Sequence, residues 1–230
     1  MAQIPLRLNL QQLYKLSNYY FSRPELAEVM TIFSQLKKIN FLYLWGNQSS
    51  GKTHLLLAMA ENAQKDNKRA LYLPLAELVG SVSPEVLESV EDLDLLCIDD
   101  LDALADLTEW EEALFHCFNR LQHTGCKLLV ASQHNPVMTS IKLADLRSRL
   151  AAGLVYQLET LNDDDKHQML MLQAQSRGLK LPEEVAQYLL RHHSRDTTEL
   201  MVLLKTLDSA SMVEKRRLTI PFVRQTLANG

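Results

Sequence analysis

The stretch Gly46-Asn47-Gln48-Ser49-Ser50-Gly51-Lys52-Thr53 carries the most specific chemistry in this sequence. It reads G-x-x-x-x-G-K-T, a loop suited to holding phosphate. Gly46 and Gly51 let the backbone fold back so that consecutive N–H groups converge on an anion. The helix beginning near Lys52 presents its positive end to the same point. Lys52 reaches a β-phosphate, and a γ-phosphate when one is present, while Thr53 offers its hydroxyl to Mg²⁺. A second element supports the first. Leu95-Leu96-Cys97-Ile98-Asp99-Asp100 is an apolar strand ending in two carboxylates. Asp99 would hold the Mg²⁺ through water, at the sheet edge where open α/β folds bind ligands. Asp100 would orient an attacking water. Asp is one methylene shorter than Glu, which predicts a poor or absent ATPase. Ser132, Gln133 and His134 end a further strand, and Gln133 is the choice among them to meet a γ-phosphate or the attacking water. Arg147 and Arg149 lie in a short helix whose stripe is Leu143, Leu146 and Leu150. They stand about 200° apart on it, so only one aims at a given neighbour.

These residues need a scaffold, and the apolar pattern supplies one. Short, near-continuous apolar runs occur at Phe41–Trp45, Arg69–Leu73, Asp94–Ile98, Lys127–Ala131 and Leu154–Leu158. Continuous rather than alternating runs mark strands covered on both faces, as in a parallel sheet. Between them His54–Asn67 and Trp110–His123 have helical spacing, which predicts an α/β domain with right-handed crossovers. After Leu161 the strands stop. A helix is expected over Asn162–Ser176, capped by Asn162 or Asp163 and stopped by Gly178. Another is expected over Pro182–His193 with Pro at its first helical position. A longer one covers Asp196–Glu214 and a short one Pro221–Leu227.

Composition narrows the function. The chain has 230 residues and a net charge of -4, with 24 Lys plus Arg against 28 Asp plus Glu. Such a balance does not hold duplex DNA by bulk charge. Cys97, Cys117 and Cys126 contain no C-x-x-C pair and argue against disulfides or a zinc cluster. The sequence shows no signal pattern and no membrane-length apolar run, so a cytoplasmic protein with no membrane partner is expected. Lys215-Arg216-Arg217 reads as a solvated helix end, and His192-His193 lacks metal-pair spacing on one helical face.

A strand–GxxxxGKT–helix unit, a strand ending Asp-Asp, a polar fourth-strand end, a Ser148-Arg149-Leu150 arginine and a helical C-terminus together resemble the AAA+ class. Ile98-Asp99-Asp100-Leu101 and Leu146-Arg147-Ser148-Arg149-Leu150 are similar to segments of its DnaA branch. Tyr43-Leu44-Trp45, His54-Leu55-Leu56 and Leu218-Thr219-Ile220-Pro221-Phe222-Val223 resemble the short DnaA homologues that inactivate the initiator, over nearly the full length. The implied fold is α/β: an AAA+ P-loop domain with a five-stranded parallel sheet, then a small all-helical lid. The implied organisation is an extended tail over 1–10, a nucleotide-binding domain over 11–160 and a lid over 161–230.

The resemblance implies further roles. Arg149 matches the family's arginine finger and would act on ATP bound to DnaA. ADP, or ATP, is the nucleotide of the regulator itself. Tyr20, within the segment that lines the base in relatives, and His54, beside the loop, join the nucleotide-holding residues. Gln3-Ile4-Pro5-Leu6-Arg7-Leu8 resembles the hexapeptide that holds the β sliding clamp of DNA polymerase III. Gln3 would hydrogen-bond at one end of an apolar groove, Leu6 and Leu8 would fill pockets, and Pro5 would stiffen the peptide. DNA is then met mainly through the clamp. Two departures stand out: Thr198 occupies the position of the usual lid arginine, with Arg195 one turn earlier, and Gln133 replaces an Asp. Both argue against ordinary ATP hydrolysis by this chain. The competing readings are a helicase-loader-like ATPase and a nucleotide-binding scaffold. The initiator itself is disfavoured, because no basic helix-turn-helix follows the lid. A homo-oligomer remains compatible with the class.

Overall fold

A computed structural model describes residues 14–35 and 39–228. The tail residues Gln3, Pro5, Leu6 and Leu8 therefore lie outside the described residues. Five strands form one parallel sheet: β1 (Phe41–Trp45), β2 (Ala70–Pro74), β3 (Leu95–Asp99), β4 (Lys127–Ser132) and β5 (Leu154–Gln157), in the order β2-β3-β4-β1-β5. Trp45 pairs with Ser132 and with Gln157, and Pro74 pairs with Asp99. That register brings the carboxyl ends of the strands to one edge.

Helices cover both faces, which is why the strands read as unbroken apolar runs. On one face Leu42, Leu44, Cys97, Leu129 and Ala131 pack against α1 (Pro24–Gln35) and α2 (Lys52–Lys65). On the other, Tyr43, Leu96, Ile98, Leu128 and Val130 meet α4 (Thr108–Leu121) and α5 (Ala144–Ala151), with the one-turn α3 (Leu75–Leu78) beside them. The helix after β1 lies on the first face and the helix after the adjacent β4 on the second. The strand order therefore changes direction between β1 and β4, which is where such sheets bind ligands. α1 is absent from the elements expected above, although Leu26, Met30 and Phe33 at i, i+4 and i+7 mark its buried stripe.

Residues up to Glu159 form one compact unit and those from Thr160 another. The second unit is all helical: α6 (Asp163–Ser176), α7 (Glu183–His192), α8 (Thr197–Glu214) and α9 (Ile220–Ala228). Its core includes Leu170, Val185, Leu189, Leu200, Leu204 and Phe222. Of the two expected caps for α6, Asn162 is the one used, accepting from the Asp165 N–H at 2.8 Å. Pro182 requires a correction. It is the N-cap of α7, with ψ 147°, rather than the first helical residue. Its extended backbone still places Glu183 and Glu184 in the first turn, where the helix dipole favours them.

Candidate functional site

The loop after β1 is built around its two glycines. A Cβ on Gly46 would lie 2.2 Å from the Leu158 carbonyl oxygen, so only glycine lets the chain leave β1 beside β5. Gly51 is the N-cap of α2 with φ 89°, in the left-handed region that favours glycine. Tyr19 packs directly against it, its Oη 3.1 Å from where a Cβ would sit. Lys52 is buried, and its ammonium donates to the Gly46 carbonyl at 2.7 Å, the Asn47 carbonyl at 2.8 Å and Ser50 Oγ at 3.3 Å. Burial pushes the Lys52 pKa below the ordinary lysine range, and the carboxylates of Asp99, Asp102 and Asp100 oppose that shift. Those carboxylates are thus close enough to Lys52 to form one electrostatic group with it. Thr53 is exposed in the first turn of α2, while Asn47 and Gln48 are exposed and Ser49 half-buried on the loop.

Asp99 ends β3 fully buried. Its Oδ2 accepts from the Tyr72 hydroxyl at 2.8 Å and its Oδ1 from the Asp100 N–H at 3.0 Å. Each Asp99 oxygen keeps further lone-pair capacity, and Asp99 and the exposed Thr53 hydroxyl are both hard oxygen donors of the type that Mg²⁺ takes. Burial first, and then the partnership with Asp99, push the Tyr72 phenol upward, so it stays protonated and donating. Asp100 turns the chain into a 3₁₀ turn over Leu101–Leu104 with φ 55°. Its pKa is raised by partial burial and then by the Asp99 charge, with Lys52 counteracting.

Asp102, which sequence reasoning did not select, organises the end of β4. It accepts from Ser132 Oγ at 2.9 Å and from the Gln133 N–H at 2.6 Å, and its Oδ1 lies 2.8 Å from His134 Nδ1. Ser132 is buried, whereas the side chains of Gln133 and His134 are exposed. The Gln133 backbone is therefore fixed while its side chain faces outward. A third acid two residues beyond an Asp-Asp strand end was the available signal, but only the sheet order brings β3 and β4 together.

Arg149 sits half-buried on α5 and Arg147 is exposed, with Leu146 and Leu150 fully buried between them. Leu146 and Leu150 bury as the leucine spacing predicts, whereas Leu143, half-buried, is the N-cap and precedes the helix. Glu111 on α4 is also buried, and its carboxylate accepts from the Leu143 N–H at 2.8 Å. At the other side of the loop, Asn18 is buried and its Oδ1 lies 3.0 Å from His54 Nε2. The Tyr19 and His54 rings meet edge to face at 5.1 Å. Tyr20 is half-buried on the same segment. In the helical unit Thr198 lies exposed in the first turn of α8. Arg195 precedes that helix and stands 3.8 Å from Asp163, both well exposed.

Two protein families match the chain. The one described as the bacterial DnaA ATPase domain covers residues 25–157, and the one described as the Hda lid domain covers residues 163–227. An uncharacterised protein of Haemophilus influenzae is 42% identical over 188 residues, 81% of each chain. Domain III of the Thermotoga maritima replication initiation protein DnaA superposes with a TM-score of 0.77 at 22% identity, over 94% of this chain and 96% of that one. AMPPCP-bound DnaA from Aquifex aeolicus gives a TM-score of 0.70 at 25% identity, over 87% of this chain and 66% of that one.

Proposed function

The chain belongs to the bacterial DnaA ATPase domain family and is an Hda-like AAA+ protein, and from this we infer that it shuts off replication initiation by promoting hydrolysis of ATP held by DnaA. The match of residues 163–227 to the Hda lid carries this reading. The similar DnaA with AMPPCP bound supports an adenine nucleotide at the loop of this chain.

The residues take the following roles. The Gly46–Thr53 backbone amides, the α2 N-terminus and Lys52 hold the diphosphate. Lys52 already lies among the loop oxygens, so its charge moves little to meet phosphate. Mg²⁺, when bound, supplies charge neutralisation at the phosphates; Thr53 and Asp99 would hold it. His54 and Tyr20 belong to the base side in this reading, and Tyr19 and Asn18 join them because both meet His54. Asp100 and Gln133 are the residues of this chain's own turnover. A short Asp100 carboxylate, partly buried, and an exposed Gln133 side chain suit slow hydrolysis, so ADP would be the resident nucleotide. Arg149 reaches toward ATP on DnaA and stabilises charge on the transferring phosphoryl group, an effect worth ~10³–10⁵ in rate. Gln3, Pro5, Leu6 and Leu8 hold the β clamp on DNA and bring the regulator to its target.

The test is DnaA–ATP turnover with and without DNA-loaded clamp, this protein being the added component. Stimulation that Arg149→Ala abolishes, with nucleotide and clamp binding intact, is the expected result. Unchanged stimulation by that variant would move the finger, first to Arg147. Strong DNA-stimulated ATPase by the isolated protein would instead indicate a helicase-loader-like motor.

A further inference from the structure

Glu111 is a buried acid in the first turn of α4, 2% exposed, and its charge acts on the nearby Lys142 ammonium. Its carboxylate faces the chain entering α5. The Lys142 N–H donates to Oε1 at 3.1 Å and Oε2 at 3.0 Å, and the Leu143 N–H donates to Oε2 at 2.8 Å. Leu143 is the N-cap of α5 and has no side-chain oxygen with which to cap it. Glu111 therefore does from another helix what the N3 glutamate of a capping box does locally, accepting from the N-cap amide and from the one before it. It accepts the orphan amides and sets a negative charge at the positive helix end. Burying a carboxylate is costly unless its hydrogen bonds are made, and here they are made to backbone alone. The adjacent Lys142–Asp106 ion pair, 2.6 Å long, is too exposed on both sides to fix the segment.

The rotation of α5 is set by Leu146 and Leu150, both fully buried. Its position along the axis is set where it begins. We propose that Glu111 is a positioning residue for Arg149: its carboxylate fixes the start of α5 and so the reach of the guanidinium toward the partner's phosphates. This rests on the role of Arg149 proposed above. Misplacement of a reacting group by about 1 Å costs up to ~10² in rate, so the tie is large enough to matter.

The experiment measures clamp-dependent turnover of DnaA–ATP with wild type, Glu111→Gln, Glu111→Asp and Arg149→Ala, together with amide hydrogen exchange over residues 139–152. Gln keeps the shape but sets an NH₂ donor against N–H donors. Faster exchange at Lys142 and Leu143 is expected, with a maximal stimulated rate at least about tenfold lower. The half-saturating regulator concentration and the adenine-nucleotide affinity should stay within about twofold, a split that general unfolding would not produce. Glu111→Asp should recover part of the rate, because it restores the carboxylate. If Arg149→Ala abolishes stimulation while Glu111→Gln loosens the two amides and leaves the rate intact, this inference alone is overturned. If Arg149→Ala also leaves stimulation intact, the finger reading falls and this inference with it.

Discussion

At the scale of single residues, charge and burial are in conflict at the end of β3. Asp100 is partly withdrawn from water beside Asp99, and burial first, then Asp99, holds its carboxyl above the ordinary aspartate range. The folded protein therefore binds the Asp100 proton more readily than the unfolded chain does. The contribution of this group to stability is greatest in acid and is lost as pH rises through the raised value. Asp100→Asn should thus make the nucleotide-free protein more stable than wild type at neutral pH. The advantage should shrink to nothing below about pH 4, where the unfolded aspartate is itself protonated. Denaturant titrations across pH check this; a constant gap between the two proteins would contradict it. Asp99, a neighbour with the same charge, is held instead by the Tyr72 hydroxyl and the Asp100 amide. Adjacent carboxylates in the sequence are thus physically distinct, and nothing in the dipeptide itself distinguishes them.

At the scale of elements, helix ends show what is local and what is not. Asp196 accepts from the Thr198 N–H at 2.8 Å and the Glu199 N–H at 3.1 Å, and so caps α8 from its own sequence neighbourhood. Asp196→Ala should cost about 1 kcal/mol of stability, and Asp196→Asn, which keeps an acceptor, should recover most of it. Chemical denaturation of the three proteins measures the difference. This kind of cap is legible in sequence, as are Asn162 and the Gly178 stop. The α5 cap is not, because Glu111 is far along the chain from Leu143 and reaches it only once α4 and α5 lie on the same sheet face. The 3₁₀ turn at Leu101–Leu104 was equally unreadable, since Asp100 enters it in the left-handed conformation.

At the scale of the whole molecule, a net charge of -4 leaves little general attraction for DNA, and under the proposed function targeting comes from a specific contact. Among the described residues no helix is long and apolar enough to cross a membrane. Under the proposed function, replacing Gln3 and Leu6 together by Ala should reduce clamp-dependent stimulation of DnaA–ATP turnover at least about tenfold, since the proposed clamp peptide would lose two of its contacts. Adenine-nucleotide affinity, measured by calorimetry, should be unchanged; an unaltered dependence on the clamp would exclude the tail as the recruiting element. The sequence by itself determined the glycine loop after β1, the five apolar strands and the change to an all-helical second unit, because backbone-directed glycines and hydrophobic period act over a few residues. Only the tertiary structure decided that Asp102 meets β4, that Tyr19 rather than another aromatic backs Gly51, and that Glu111 secures the arginine-bearing helix. Those are contacts between distant parts of the chain. Their energies arise from burial and satisfied hydrogen bonds that do not exist until the sheet has brought the partners together.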